Sequence, residues 1–398
     1  MRPYAGRTVL LGVTGGIASY KSAWLARLLT KAGAKVETVL TRSATEFVSA
    51  LTFEALTGQP ARVGLFDAGA ALEHIRLAKA ADVVVVAPAT ADFMARAATG
   101  QADDLLSAIL LATKAPVLLV PAMNDHMWAH PQTRANVAHL RKIGYQVLDP
   151  AEGMLAAGEG EGPGRMPEPE TIFAHIGRRL ESRGTLTGKT VVVTAGPTRE
   201  AIDPVRFVSN HSSGKMGVAL AAAAWRRGAK VTLVSGAMSV PAPTGPLVHA
   251  AETTDETARV VGKLIKSADV LIMAAAPADF RPETVAKTKI KKGKKAPTIS
   301  MTNTPDILRS TASKRKKGSV IVGFALETND ALTHGAAKLV DKSLDMIVVN
   351  DATEPGAGFG GDTNRVTLLH RGGKPEALPL LSKDDVADAI LDRVEKLL

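Results

Sequence analysis

Apolar runs of four to eight residues alternate along the chain with longer segments whose apolar positions recur every three to four residues. The first kind predicts strands buried on both faces and the second predicts helices that cover them, so their alternation points to parallel sheets of the α/β class. In the first half the predicted strands lie near 8–13, 35–41, 83–87, 117–120 and 145–148. In the second half they lie near 190–194, 230–235, 270–274, 320–324 and 346–350. Gly33-Ala34-Lys35-Val36 and Gly228-Ala229-Lys230-Val231 each end a helix on glycine and enter the second strand of their half, as a glycine helix stop allows. The repeated pattern predicts two Rossmann-like three-layer units with mostly parallel sheets. One helix closes on Arg178 to Gly184 and Thr187-Gly188-Lys189 precedes a fresh strand, which puts the boundary near residue 185 and gives domains 1–185 and 186–398.

Composition changes this picture little. At 398 residues the chain exceeds the usual size of a single core, and 45% hydrophobic with 22% charged residues is ordinary globular usage. No apolar stretch reaches the roughly 18 uncharged residues of a membrane helix, and the N-terminus does not read as a signal peptide, so a cytoplasmic location is expected. The absence of cysteine excludes disulfides, zinc-thiolate sites and a cysteine nucleophile. The net charge of +10 is concentrated partly in Lys287 to Lys295 and Lys314 to Lys317. Neither run is interleaved with base-stacking aromatics. The first reads best as a site for phosphorylated small molecules, with a solvated loop and nucleic-acid binding as alternatives, and the second as a solvated run. Small-molecule partners are expected, with no nucleic acid and no membrane.

Two segments of the first half carry chemistry. Val9 to Val13 runs into Thr14-Gly15-Gly16-Ile17-Ala18-Ser19, a strand, glycine turn and helix start whose backbone amides suit a phosphate. The dinucleotide fingerprint G-x-G-x-x-G is absent, and glycine there also serves helix-on-strand packing. Ala87-Pro88-Ala89-Thr90-Ala91-Asp92 and Pro121-Ala122-Met123-Asn124-Asp125-His126-Met127-Trp128 follow apolar strands, at the carboxyl ends where open α/β sheets bind ligands.

These segments, with Glu73-His74-Ile75 before them, resemble the flavin-dependent cysteine decarboxylases, in particular phosphopantothenoylcysteine decarboxylases, over residues 7 to about 166. The resemblance implies a flavodoxin-like flavoprotein domain. It assigns Gly15, Ser19, Thr41, Phe47 and Thr90 to an FMN site, Asn124 and Met127 to the substrate, and catalysis to Asn124 together with His74 as the base. Imidazole titrates near pH ~6.5 and suits proton transfer, and an amide orients a carboxylate without adding charge. Its helix-like neighbours alone make His74 an ordinary structural histidine. In the flap Gly153-Met154-Leu155-Ala156-Ala157-Gly158, the family has cysteine where this chain has Ala157. That cysteine is the proton donor of the reductive step. Another donor such as water or Glu159, an arrest at the oxidised enethiol, or an engineered replacement all remain open.

In the second half, Thr194 to Glu200 and Ser209-Asn210-His211-Ser212-Ser213-Gly214-Lys215-Met216-Gly217 offer amides to phosphate. Gly214-Lys215 lacks the upstream glycine of a Walker A loop, so a P-loop is excluded. With Asp203-Pro204-Val205-Arg206, Lys289 to Lys292 and Pro305-Asp306-Ile307-Leu308, these motifs resemble phosphopantothenate cysteine ligases over residues 189 to about 395. The bacterial bifunctional members carry both activities in this order. The resemblance implies that pantothenate carboxylate attacks the α-phosphate of CTP, and that cysteine's amine then displaces CMP. It assigns CTP to Ala276, Asp279, Lys289, Pro305, Asp306, Ile307, Leu308, Phe324, Lys338 and Lys342, catalysis to Lys289 and Asn210, and substrate contacts to Asn210 and Arg206. Mg2+ is implied with the phosphates, without protein ligands assigned. By themselves Asn210 reads as a turn or cap residue, and Lys338 and Lys342 as a solvated helix face. Trimers through the decarboxylase half and dimers through the ligase half, making a dodecamer, are also implied. Three readings follow: a bifunctional enzyme making phosphopantetheine; a ligase whose N-terminal domain binds FMN but is assembly-only or oxidative; and a regulatory binding protein on a decarboxylase-like domain.

Overall fold

The chain forms two compact units, Met1–Glu181 and Ser182–Leu398. The structure is a computed structural model that describes all residues except 1, 67–70, 159, 182–183, 185, 293–296, 328–329 and 352–359. Among the described residues no helix is long and apolar enough to cross a membrane.

In the first unit, β1 (Thr8–Val13), β2 (Lys35–Leu40), β3 (Ala61–Arg62), β4 (Val83–Ala89), β5 (Val117–Pro121) and β6 (Gln146–Val147) form a parallel sheet in the order β3-β2-β1-β4-β5-β6. The chain winds outward from β1 and restarts beside it at β4. A crevice therefore opens at the carboxyl ends of these two strands, the switch point where such sheets bind ligands. β4 reads VVVVAPA and is buried along its whole length. Its Val84 and Val86 join one core with Leu10 and Leu106, while Val83 and Val85 join the other with Leu11 and Leu25. Helices cover both faces for that reason, each fully buried valine contributing about 1.5–3 kcal/mol. The predicted strand 145–148 is shorter, because the Tyr145 amide donates back to Leu140 O at 3.0 Å and completes the preceding helix. The segment read only as a glycine-rich flap is a hairpin of β7 (Ala151–Met154) and β8 (Glu161–Arg165). Its glycines hide it from propensity.

The second unit contains β9 (Thr190–Ala195), β10 (Arg199–Ala201), β11 (Phe207–Ser209), β12 (Lys230–Ser235), β13 (Leu247–Ala250), β14 (Val270–Met273), β15 (Phe280–Pro282), β16 (Met301–Asn303), β17 (Val320–Glu327), β18 (Met346–Asp351), β19 (Thr363–Asn364), β20 (Thr367–His370), β21 (Glu376–Ala377) and β22 (Leu381–Ser382). Its main sheet runs β13-β12-β9-β14-β17-β18-β20-β21, and the pairings are parallel as far as β18 and antiparallel beyond. The six parallel strands repeat the winding of the first unit, with a switch point between β9 and β14. Both glycine stops adopt the left-handed conformation, Gly33 at φ +90° and Gly228 at φ +96°. The next amide in each closes the helix, Ala34 N to Leu29 O and Ala229 N to Ala224 O.

Candidate active sites

At the first switch point lies a cavity of about 530 Å3, lined by the Gly15–Gly16 turn, Thr90, Asn124, Met127 and the flap residues Met154 to Ala156. Gly15 sits where it does because nothing larger fits: a Cβ there would stand 2.4 Å from Ser43 Cβ. That contact brings the 3-10 helix Arg42–Glu46 against the turn. Thr41 caps this helix, its hydroxyl accepting from Ala44 N, and Phe47 ends it; neither lines the cavity, and Phe47 is half exposed. Ser19 is buried behind the turn, donating to Gly16 O at 2.6 Å. Thr90 and Asn124 cap the helices Ala91–Thr99 and Asp125–Ala129, their side chains accepting from Phe93 N and His126 N.

His74 does not line the cavity of its own unit. It lies on the helix Glu73–Ala80, and its buried Nδ1 has no partner among the described residues. Ala157 is exposed at the flap, and Glu159 lies outside the described residues. Lys21, which the sequence reading passed over, lines the cavity with a buried side chain that donates to Met166 O at 3.0 Å and pairs with Glu168 at 2.8 Å. A lysine in the first turn of a helix opposes the helix dipole, and that misfit was the available signal.

The second switch point holds a cavity of about 520 Å3 reached by Asn210, Ala276 and Phe324. Asn210 Nδ2 donates to Pro277 O at 2.8 Å, which ties the Ser209 to Gly217 segment to the end of β14. Asp279, Lys289, Arg206, Pro305 to Leu308, Lys338 and Lys342 do not line this cavity. Lys338 pairs with Glu327 at 2.6 Å and Lys342 with Asp306 at 3.2 Å. Burial resists ionisation of Asp306, yet the Arg309 amide and Lys342 hold its carboxyl below the usual range. Arg206 pairs with Asp203 and also donates to Ile290 O at 2.7 Å, while Ile290 N donates to Asp203 at 3.2 Å. The Arg206 guanidinium holds the Asp203 carboxyl well below the usual range despite its burial. The exposed Lys289 therefore sits beside a fixed anchor.

Lys215, Asn350, Asn364 and Lys383 also line the second cavity, and the sequence reading assigned none of them a role. Asn350 Nδ2 donates to Asn364 Oδ1 at 2.8 Å, and its buried Oδ1 has no partner among the described residues. Lys215 reaches Gly360 O and Asp362, each at 2.7 Å. Lys383 reaches Gly361 O at 2.5 Å. Burial and then the like charge of Lys215 push the Lys383 ammonium below its ordinary value, against the pull of Asp362. Among the described residues no group of three or more acidic or histidine side chains is placed to hold a metal.

Two Rossmann-ordered units, each with a cavity at its switch point and a glycine turn leading into a helix, define a two-domain protein of the doubly wound α/β class. Residues 1–181 match the family model described as Flavoprotein, and residues 186–398 match that of the DNA/pantothenate metabolism flavoprotein C-terminal domain. The chain is 46% identical over 400 residues to the coenzyme A biosynthesis bifunctional protein CoaBC of Vibrio cholerae, covering 100% of both chains. It is 44% identical to that of Bacillus subtilis, covering 98% of this chain and 97% of the relative. The identity to that of Mycobacterium tuberculosis is 46%, covering 98% and 96%. Among solved structures, the C-terminal domain of a CoaBC protein is 37% identical with a TM-score of 0.47, covering 54% of this chain and 97% of that one. The chain belongs to the CoaBC family. It is a bifunctional enzyme of coenzyme A biosynthesis, a phosphopantothenoylcysteine decarboxylase and a phosphopantothenate cysteine ligase.

Proposed function

We propose that residues 186–398 ligate cysteine to 4'-phosphopantothenate at the expense of CTP, and that residues 1–185 decarboxylate the product in an FMN-containing cavity. The observation that carries this reading is the pairing of two switch-point cavities, each within the roughly 300–1,000 Å3 range of small-ligand sites, with the two family matches. In the ligase half the pantothenate carboxylate attacks the α-phosphorus of CTP, forming a mixed anhydride and expelling pyrophosphate. The amine of cysteine then attacks the acyl carbon, forming the amide and releasing CMP and a proton. Asn210, fixed by Pro277 O, holds the acyl group in the cavity, with Ala276 and Phe324 against the nucleotide. Lys289, on the segment tethered to Asp203 and Arg206, closes over the phosphates when the nucleotide binds. Asp279, Pro305 to Leu308, Lys338 and Lys342 contact its base and ribose. Mg2+ finds no cluster of protein ligands among the described residues.

The first cavity fits FMN by its donor set. The amides of the Gly15–Gly16 turn and the start of the helix Ser19–Lys31 suit a phosphate, and Met127, Met154 and Leu155 suit a ring face. When bound, FMN supplies the two-electron oxidation of the substrate thiol that gives the departing carboxylate's electrons a sink. Asn124 orients that carboxylate and Met127 packs beside it. Ser19, Thr41 and Phe47 support the turn and its neighbouring 3-10 helix. His74 acts as base from a second copy of the chain, since it stands apart from the cavity of its own unit. A homo-oligomer is further supported by the exposed apolar side chains Ile17, Tyr20 and Trp24 in the first unit and Val205, Phe207 and Phe280 in the second.

Ala157 favours a second reading, in which the ligase is complete and the decarboxylase half releases CO2 without completing the reductive step. Mass spectrometry of products from phosphopantothenate, cysteine, CTP and Mg2+ with the FMN-loaded protein separates the two. Phosphopantetheine supports full bifunctionality, whereas accumulation of phosphopantothenoylcysteine or its oxidised enethiol supports the second reading. Release of no pyrophosphate would sink both.

A further inference from the structure

At the second switch point the bonding between two neighbouring strands continues past the end of one of them. β9 and β14 run side by side as far as Thr194 opposite Met273. Beyond β14, the Thr194 hydroxyl accepts from Ala275 N at 3.0 Å, Gly196 O accepts from Ala276 N at 3.0 Å, and the Thr198 hydroxyl accepts from Ala278 N at 2.9 Å. Residue 277 is proline, so every amide of residues 275–278 is held by alternate residues of the segment 194–198. Ala274 to Pro277 line the cavity, whereas Thr194, Thr198, Glu200 and Thr254 do not. Behind Thr198 lies a buried polar chain. Thr254 donates its one hydroxyl proton to Glu200 Oε1 at 2.8 Å, so the Thr198 hydroxyl, 3.0 Å from Thr254 Oγ1, donates to Thr254. Glu200 Oε1 also accepts from Thr254 N at 2.9 Å, at the start of the helix Thr254–Leu264. All four side chains belong to residues at most 4% exposed. Ala278 O in turn accepts from the Thr304 hydroxyl at 2.6 Å and Asp279 O from Thr304 N at 3.0 Å, which ties in the turn that begins at Pro305.

We propose that Thr194, Thr198 and the Thr254–Glu200 pair behind them are positioning residues of the ligase, which fix residues 274–279 as a rigid floor for the nucleoside and for Asn210. The proposal rests on the CTP-dependent reading of this cavity. The four residues act through the backbone of the floor and not by touching a ligand. With their amides committed to the segment 194–198, the peptide planes of the floor cannot rotate, and the Pro277 carbonyl keeps its direction toward Asn210 Nδ2 at 2.8 Å. The carboxyl of Glu200 fixes the order of protons along the chain, and each hydroxyl that donates becomes a better acceptor for the next group. A floor ordered before the nucleotide arrives spends none of its binding free energy on ordering. Sequence suggested that Thr194 to Glu200 offers amides to phosphate; in the structure the same segment supplies a row of acceptors to its neighbour.

The test is steady-state ligation by the full chain, with calorimetry of CMP binding, in Thr194→Val, Thr198→Val, Thr198→Ser and the double variant Thr198→Val/Thr254→Val. Valine keeps the threonine shape and removes the acceptor. Each single valine variant is expected to raise the KM for CTP and weaken CMP binding by about 3- to 10-fold, as for loss of one hydrogen bond, with the KM for cysteine at its parental value. Thr198→Ser keeps the hydroxyl and is expected to restore both constants. The double variant should be no worse than Thr198→Val, because the two hydroxyls belong to one chain. A merely structural role would lower the melting temperature and kcat and leave the CTP and CMP constants in place. Parental CTP and CMP constants in the valine variants would overturn the proposal, as would a serine variant as poor as valine, an equal rise in KM for CTP and cysteine, or additive losses in the double variant. Thr194→Val, at a separate amide, carries the test if Thr198→Val does not fold. If the parent bound no CMP and released pyrophosphate from a different nucleoside triphosphate, the CTP reading would fall, and the same variants measured with that nucleotide would still decide the positioning.

Discussion

Gly15 illustrates how a single missing carbon decides the N-terminal site. Its α-hydrogen faces the 3-10 helix Arg42–Glu46 so closely that a Cβ would lie 2.4 Å from Ser43 Cβ and 2.9 Å from Ser43 backbone atoms. Gly15→Ala must therefore push backbone from backbone, an overpacking cost of about 1–3 kcal/mol. The flavin absorbance of the purified variant should drop while CTP-dependent pyrophosphate release continues. Unchanged flavin content would refute the role given to the turn. His175 supplies a different residue-scale expectation. Burial first, then Arg178 and Arg179, push its imidazole from the ordinary 6.5 down to about 4. Above pH 6.5 it is neutral folded and unfolded, so its full contribution is present. As pH falls from 6.5 toward 4 the unfolded chain takes up a proton that the folded chain refuses, and stability is lost. His175→Gln should flatten the decline of the melting temperature between pH 6.5 and 5, and parallel curves for parent and variant would contradict this.

Helices in the second unit are joined by charge as well as by apolar contact. Arg226 and Arg227, at the end of the helix Lys215–Arg226, reach Asp388 on the helix Lys383–Leu397 at 2.9 and 3.0 Å, with all three side chains largely buried. Removing the shared carboxylate takes a buried partner from both arginines, although Arg227 keeps Asp392 at 2.9 Å and Glu395 at 3.2 Å, so Asp388→Ala should cost about 1–3 kcal/mol and lower the melting temperature of the ligase half. A shift of less than a degree would show that the network is dispensable. Both helices begin at the second cavity, so this pair of elements also fixes where Lys215 and Lys383 stand. The flap hairpin is held in the same element-level manner. Met123 N donates to Gly164 O at 3.0 Å, and a Cβ on Gly164 would stand 2.2 Å from Met123 O. Gly164→Ala should therefore unseat the flap from the Asn124 loop and impair decarboxylation while pyrophosphate release proceeds.

At the scale of the molecule, two sheets of the same winding place two cavities in two separate compact units. Sites with no shared partners respond independently to substitution. Asn210→Ala should reduce CTP-dependent ligation by about 10²- to 10³-fold, as for loss of one positioned donor, and leave flavin absorbance and turnover of supplied phosphopantothenoylcysteine at the parental level. Equal loss of both activities would mean that the halves are coupled. Ala157→Cys addresses the other half: if the flap lacks only its acid, this variant should increase phosphopantetheine yield with no change in ligation.

The alternation of short apolar runs with helical periodicity was enough to locate the main parallel strands, because burial on both faces leaves a signal within each segment, as in the four consecutive valines of β4. The glycine stops at Gly33 and Gly228 were equally local, since a left-handed helix end is a property of one residue. The motifs around Gly15, Thr90, Asn124 and Asn210 were legible because a strand followed by a small or polar loop marks a carboxyl end. Edge strands and glycine-rich hairpins such as β7–β8 were not, since their pairing partner and not their composition makes them strands. Tertiary structure alone decided which charged groups meet. It brought Lys215 and Lys383, 168 positions apart in the chain, into one cavity, gave Lys338 and Lys342 carboxylate partners, and left His74 away from the cavity of its own unit. Charge pairing depends on distances set by packing many elements together, and no periodicity in a linear sequence encodes those distances.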